Sequence, residues 1–298
     1  MTEKTNRADW LVAFEREAAV KRVVILEGNV ADMFYDPVQR EQVSLTELLS
    51  RVLGRNDKLN FTLNGSWDQS DGLKFRNEKD HAAFEKILAG STQQDNGQAY
   101  DLGQEQQQND QNGGLYTDPA ELISAVRRVF LDQEQRPVFI LDYTQHLVTQ
   151  PDHPDPGERA WILELKKAIT DCPTIKVNSD SLKHNKGLLI LLTTSLGSLP
   201  PAIYQSDPRV KLITVPTPSR SERKEFFLRH IDDLRCQAPK SNDKSPAERS
   251  FLQGNDDLAE VFADITDELR FLDLKQLISL SMITENPLPA EKLINLYK

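Results

Sequence analysis

PVFILDYTQHL, residues 137–147, decides the fold. From Pro137 to Leu141 the run is wholly apolar, and it ends on a carboxylate, Asp142. A strand with one wet face alternates apolar and polar residues. One this uniformly apolar is buried on both faces, as in a parallel sheet. The pattern recurs along the chain. Val23-Val24-Ile25-Leu26 runs into Glu27-Gly28-Asn29, Gly187 to Leu192 runs into Thr193-Thr194, and Val210 to Val215 forms a fourth such strand. Phe61-Thr62-Leu63 reads as a further strand leading to Trp67 and the turn signal Asp71-Gly72.

Helical patterns fill the intervals. Trp10, Leu11, Phe14 and Ala18 make one apolar face, and Leu45 to Leu53 follows Ser44 and Glu47 in capping-box order. A short helix is expected over Glu78 to Leu88, and Asp118-Pro119 opens another bearing Leu122, Val126, Val129 and Phe130. Glu158 to Ile169 and Ser219 to Leu234 are expected helices too. Parallel strands need crossover helices, so the alternation predicts an α/β fold with a parallel sheet flanked by helices. The remaining helices, Asp256 to Ala263, Leu272 to Ser281 and one after Pro289, read as a small helical lid subdomain. The expected boundaries are an α/β domain over 1–235, a linker over 236–255 and the lid over 256–298.

Composition narrows the function. The chain has 298 residues and a formal net charge of −10, which argues against broad sequence-independent binding to nucleic acid. No apolar run is long enough to span a bilayer, and the polar start, Met1 to Asp9, lacks a signal-peptide core. Cys172 and Cys236 have no CxxC partner and read as reduced thiols of a cytoplasmic protein. Residues 93–112, QQDNGQAYDLGQEQQQNDQN, carry acids, no base and little to bury, and are expected to form a disordered loop.

In an open parallel sheet, ligands bind beyond the carboxyl ends of the strands. A strand ending in Asp beside a strand ending in Thr is how P-loop NTPases hold Mg²⁺ and position water. Three blocks sharpen this. PVFILDYTQHL resembles a Walker B strand. GLLILLTTSLGSLPPAIYQSDPRVKLITVPTPSRSERKEFF, residues 187–227, resembles the AAA+ sensor-1 strand and the helix after it. ITDELRFLDLKQLISLSM, residues 265–282, is similar to the AAA+ lid motif. The middle block supplies Leu199, Ala202-Ile203, Arg209, Val215, Pro218 and Arg223 in the family's order. The resemblance runs from Pro137 to the end of the chain and implies a P-loop-NTPase-like AAA+ fold. It implies ATP and Mg²⁺ as cofactors, with Asp142 as the Walker B carboxylate and metal ligand. Thr193 or Thr194 then serves as sensor 1 and Arg209 as an arginine finger reaching a neighbouring subunit. Gly28 and Asn29 occupy the position of the phosphate loop. Its implied partners are itself or other AAA+ subunits in a ring, and a protein substrate or adaptor.

The departures set the expected activity. No GxxxxGK[ST] occurs in the chain, and Tyr143 stands where an active ATPase carries the water-activating Glu. Phe271 and Leu272 replace small residues of the lid motif. Binding and hydrolysis are each missing an element, so a non-hydrolysing, structural, allosteric or substrate-docking module is expected. The opening WLVAFEREAAVKRVVILEGNVADMFYD, with WDQSDGLKF, resembles bacterial AAA+ proteins whose first module lacks Walker A and precedes a complete Clp-like module. ENPLPAEKLINLYK accordingly reads as a junction.

Two other readings stay open at this level. One is a binding or adaptor protein working through the Gln/Asn-rich loop. The other is a Toprim-like phosphoryl-transfer enzyme using Glu27, Asp32 and Asp142, whose second strand lacks the paired acid. Plain structural roles compete as well. Asn29 suits a turn, Asp142 a helix cap, Thr193 and Thr194 a strand, and Arg209 a surface turn. Arg223 is expected to pair with Glu222 or Glu225, and Asp152, His153, Asp155 and Glu158 to form a solvated loop.

Overall fold

The computed structural model describes residues 8–91, 116–132, 134–176, 183–236, 251–284 and 287–297. The expected loop over 93–112 lies outside them, as does most of the expected linker. The chain forms two compact units. One comprises Met1–Val30 and Leu45–Val215, and the other Ala31–Ser44 and Pro216–Lys298.

The first unit is a mixed α/β layer built on a six-stranded sheet. Its strands are β1 (Val23–Gly28), β4 (Leu63–Asp68), β5 (Gly72–Phe75), β6 (Pro137–Leu141), β9 (Leu188–Thr193) and β10 (Val210–Val215), in the order β10-β1-β9-β6-β4-β5. All neighbours are parallel except the β4–β5 hairpin at one edge. The apolar runs of three strands behave as their composition demands: every residue of β6 and β9 is buried, as are the first four of β1. The edge strand β10 buries only Ile213 and Val215 and is not the fully buried strand expected. Helices α1 (Asp9–Ala18), α2 (Leu45–Arg55), α3 (Glu78–Ser91), α4 (Pro119–Leu131), α5 (Pro156–Asp171) and the short α6 (Pro201–Tyr204) belong to this unit. One core gathers Trp67, Phe84, Phe130, Phe139 and Trp161 with the inward faces of α4 and α5. Burying each such side chain contributes about 1.5–3 kcal/mol.

Local chemistry sets the helix ends. Asp118 accepts from the amide of Ala120 with Pro119 at the first turn, and Asp155 and Glu158 form a reciprocal capping box on α5. Two members of the acidic loop around Asp152 are thus committed to a helix start. The strand expected from Phe61 begins later, at Leu63, as β4. Phe61 and Thr62 lie before it, and the strand continues through Trp67 because Leu63 to Trp67 pair with Pro137 to Leu141. The hairpin β7 (Thr174–Lys176) and β8 (Lys183–Asn185) was not foreseen, since each strand is three residues long and leaves no period to detect.

The second unit contains the hairpin β2 (Met33–Asp36) and β3 (Glu41–Ser44) and helices α7 (Arg220–Arg229), α8 (Phe251–Ile265), α9 (Phe271–Ile283) and α10 (Ala290–Tyr297). Its core holds Phe226, Phe227, Phe262, Leu274, Leu277 and Leu293. Composition placed the end of the α/β part at residue 235. Packing groups α7 with the C-terminal helices instead, because Phe226 and Phe227 are buried in that core. The hairpin is an excursion of the chain between β1 and α2. Its Asp32, 3% exposed, accepts from the backbone amides of Phe271 and Leu272 at 2.9 Å each and so caps α9. Arg229 lies 3.5 Å over the ring of Tyr35.

Candidate functional site

Strand order locates the crevice. The chain leaves β1 and re-enters the sheet at β4, on one side. It leaves β9 and re-enters at β10, on the opposite side of β1. Adjacent strands whose connections depart in opposite directions make a topological switch point, where open α/β sheets bind ligands. Glu27 of β1 stands in register with Thr193 of β9 and Thr214 of β10. Asp142 follows the last residue of β6, one strand further. The sheet therefore brings Gly28, Asn29, Asp142, Thr193 and Thr194 to one edge, and it sets Arg209 at the other. Arg209 precedes the six-residue β10, and a strand of that length separates the two edges by about 20 Å.

At the end of β1 the backbone turns sharply. Gly28 has φ 100°, and a Cβ there would lie 2.9 Å from the carbonyl oxygen of Val215. The amide of Asn29 donates to that same oxygen at 2.9 Å, and the amide of Val30 donates to the carbonyl of Gly28 at 2.8 Å. Glu27 accepts from the hydroxyl of Thr214 at 3.1 Å. No helix follows directly, because the chain departs into the β2–β3 hairpin and only then begins α2.

Thr46, at the start of α2, is the residue that reading the sequence missed. Its hydroxyl donates to Oδ2 of Asp142 at 2.7 Å, while Oδ1 of Asp142 accepts from the amide of Tyr143 at 2.8 Å. In P-loop NTPases a Ser/Thr and the Walker B Asp hold Mg²⁺; here a hydroxyl and the strand-end carboxylate bond each other directly. A Thr near the start of the helix that follows β1 in chain order was the available signal. Tyr143 sits in the left-handed region at φ 52° and is 55% exposed, uncommon for a bulky side chain. Thr193 is fully buried, and its hydroxyl donates to the carbonyl of Ser195 at 2.9 Å. Thr194 is exposed.

Three features of this edge differ from a triphosphate cradle. The amides of Asn29 and Val30, which would face an anion in a phosphate cradle, point to protein carbonyls. Each oxygen of Asp142 accepts one hydrogen bond from the protein. The ends of β1, β4 and β6 carry Glu27, Asp68 and Asp142, and no Lys or Arg lies within two residues of any of the five parallel strand ends. Asp32, named in the Toprim reading, caps α9 within the second unit.

Arg209 is held by a bidentate ion pair. Its Nε and Nη2 donate to Asp207 at 2.8 and 2.9 Å. These hydrogen bonds raise the guanidinium above its ordinary value and hold the Asp207 carboxyl below its own. Arg223 does not pair on its own helix as expected. It is 4% exposed, donates to the carbonyls of Pro218 and Ala263 and reaches Asp267 at 2.9 Å. A helix of ten residues directs this side chain inward, away from Glu222 and Glu225.

A family model described as AAA+ chaperone, N-terminal Rossmann-like domain matches residues 3–216. Among solved structures, the chain is similar to a chain of the HORMA:CdnC:Trip13 complex of E. coli MS115-1. That match has a TM-score of 0.44 and 14% identity, covering 96% of this chain and 76% of that one. It is also similar to the FIGL-1 AAA domain in complex with ADP, with a TM-score of 0.45 and 11% identity, covering 94% of this chain and 72% of that one. No curated protein matches the chain.

Proposed function

The chain belongs to the family of AAA+ chaperone N-terminal Rossmann-like domains, and from that premise we propose that it is a AAA+ module that does not hydrolyse ATP by itself. Its work is structural, allosteric or substrate-docking, within a ring of AAA+ subunits in the cytoplasm. No helix among the described residues is long and apolar enough to cross a membrane.

The direct bond between Thr46 and Asp142 at 2.7 Å carries this reading. It joins a hydroxyl to the carboxylate that the family resemblance makes the metal ligand, the loop after β1 carries no lysine, and its Asn29 and Val30 amides go to protein carbonyls. Displacing these internal bonds costs about 0.5–1.5 kcal/mol each, and no Lys or Arg lies within two residues of the carboxyl end of a parallel strand to repay it. Arg209 fits a role in trans, since the edge it occupies faces away from its own Asp142. In a ring it would act on a neighbour's nucleotide, leaving its pair with Asp207 to do so.

Equilibrium binding of fluorescent ATP to the full chain with Mg²⁺ tests the proposal. The expected result is no saturable binding up to millimolar nucleotide and no phosphate release. Micromolar affinity with turnover overturns it.

A further inference from the structure

Arg209 stands on a rigid mount. Residues 207–210 form a tight turn in which the amide of Val210 donates to the carbonyl of Asp207 at 3.1 Å. Asp at the first position and Pro at the second are the residues such a turn favours. The amide of Arg209 donates to Oδ1 of Asp207 at 3.0 Å. The carbonyl of Arg209 accepts from the amides of Arg22 and Val23 at 3.0 and 3.2 Å, and Nζ of Lys21 donates to the carbonyl of Pro208 at 2.8 Å. The backbone is thus fixed from both sides, which leaves motion to the Arg209 side chain.

That side chain is 35% exposed, against 6% for Asp207. With Nε and Nη2 donating at 2.8 and 2.9 Å, the carboxylate takes one of the two bidentate edges of the guanidinium fork and cancels its charge. Hydrogen bonding holds Asp207 below and Arg209 above their ordinary values. Both stay charged across the neutral range, so a competing anion, and not a proton, opens the pair. Asp207 is not orphaned when Arg209 leaves. Its Oδ1 keeps the Arg209 amide, and Lys166 of α5 attracts it through space. A free carboxylate has no advantage over one tethered two residues away. A phosphate group carries a larger negative charge and more acceptor oxygens.

We propose that Asp207 is a latch on Arg209, a positioning residue that withholds the guanidinium from carboxylates and yields it to the phosphates of a nucleotide on a neighbouring subunit. The latch rests on the reading of Arg209 as a group acting in trans. It adds selectivity to that role: acidic side chains on a neighbour's surface do not capture the arginine, and a phosphate does.

The test follows the Arg209 Nε–H resonance of the full chain by NMR, assigned by its loss in Arg209→Lys, with inorganic pyrophosphate as the phosphate probe and succinate as the carboxylate. In the wild type, pyrophosphate should begin to shift the signal in the millimolar range without saturating, and succinate should leave it in place. In Asp207→Asn, which keeps a side-chain oxygen for the Arg209 amide, the same shift should need about tenfold less pyrophosphate, the loss expected of charge-assisted hydrogen bonds. Succinate should then shift the signal too, and Asp207→Glu, which restores a carboxylate, should return the wild-type selectivity. Pyrophosphate binding in Asp207→Asn no tighter than in the wild type overturns the proposal, because Asp207 would then be presenting the arginine. A wild-type signal that succinate moves as readily as pyrophosphate overturns it as well. The titration needs no second subunit, so a chain that failed to assemble would refute the ring reading and leave this result standing.

Discussion

Gly28 shows how one residue fixes the end of β1. At φ 100° an L side chain is strained, and the Val215 carbonyl fills the place of its Cβ at 2.9 Å. Gly28→Ala should therefore destabilise the chain by about 1–3 kcal/mol, read as a lower midpoint in denaturant. A smaller effect would mean that the turn relaxes. Asp207 illustrates a residue tuned by its neighbour. Hydrogen bonds from Arg209 hold its carboxyl below the ordinary 3.8, against burial, which pushes the other way. The folded chain then binds this proton less tightly than the unfolded one. The pair's stabilisation is complete above pH 3.8 and is lost as pH falls through the depressed folded value. Asp207→Asn should flatten that acid limb of a stability–pH curve and leave its neutral plateau less stable.

At the scale of elements, the β2–β3 hairpin is the main departure from the expected order. An NVAD stretch after a buried strand reads as a turn, and strands of four residues give too little alternation to register. Its consequence lies far along the chain: Asp32 caps α9, 239 residues away by the bond to Phe271. A carboxylate at a helix N-terminus satisfies open amides and favours the dipole. Arg223 does comparable work between α7 and α8. Three of its bonds go to carbonyls at 2.6–3.3 Å, so its partner is a helix end more than the largely exposed Asp267. By contrast, Arg220 with Glu260 and Asp264 is a surface network that salt would weaken.

For the whole molecule, the two units carry separate optical reporters. Trp10, Trp67 and Trp161 all belong to the first unit. Asp32→Ala should lower the stability of the second by about 1–2 kcal/mol. The expected sign is an earlier loss of far-ultraviolet helical signal with the tryptophan fluorescence midpoint unmoved. Coincident shifts in both probes would show that the cap serves the entire chain. The amino-acid sequence by itself determined the buried parallel strands, the polar residues at their carboxyl ends and the absence of a GxxxxGK[ST] motif. Those properties are local: a run of apolar residues or a missing lysine is visible without its neighbours. Only the tertiary structure decided that Asp142 meets Thr46, that Asp32 belongs to α9, and that Arg223 is buried against the carbonyls of Pro218 and Ala263. Each depends on strand order and packing, which bring together residues that no period in the sequence connects.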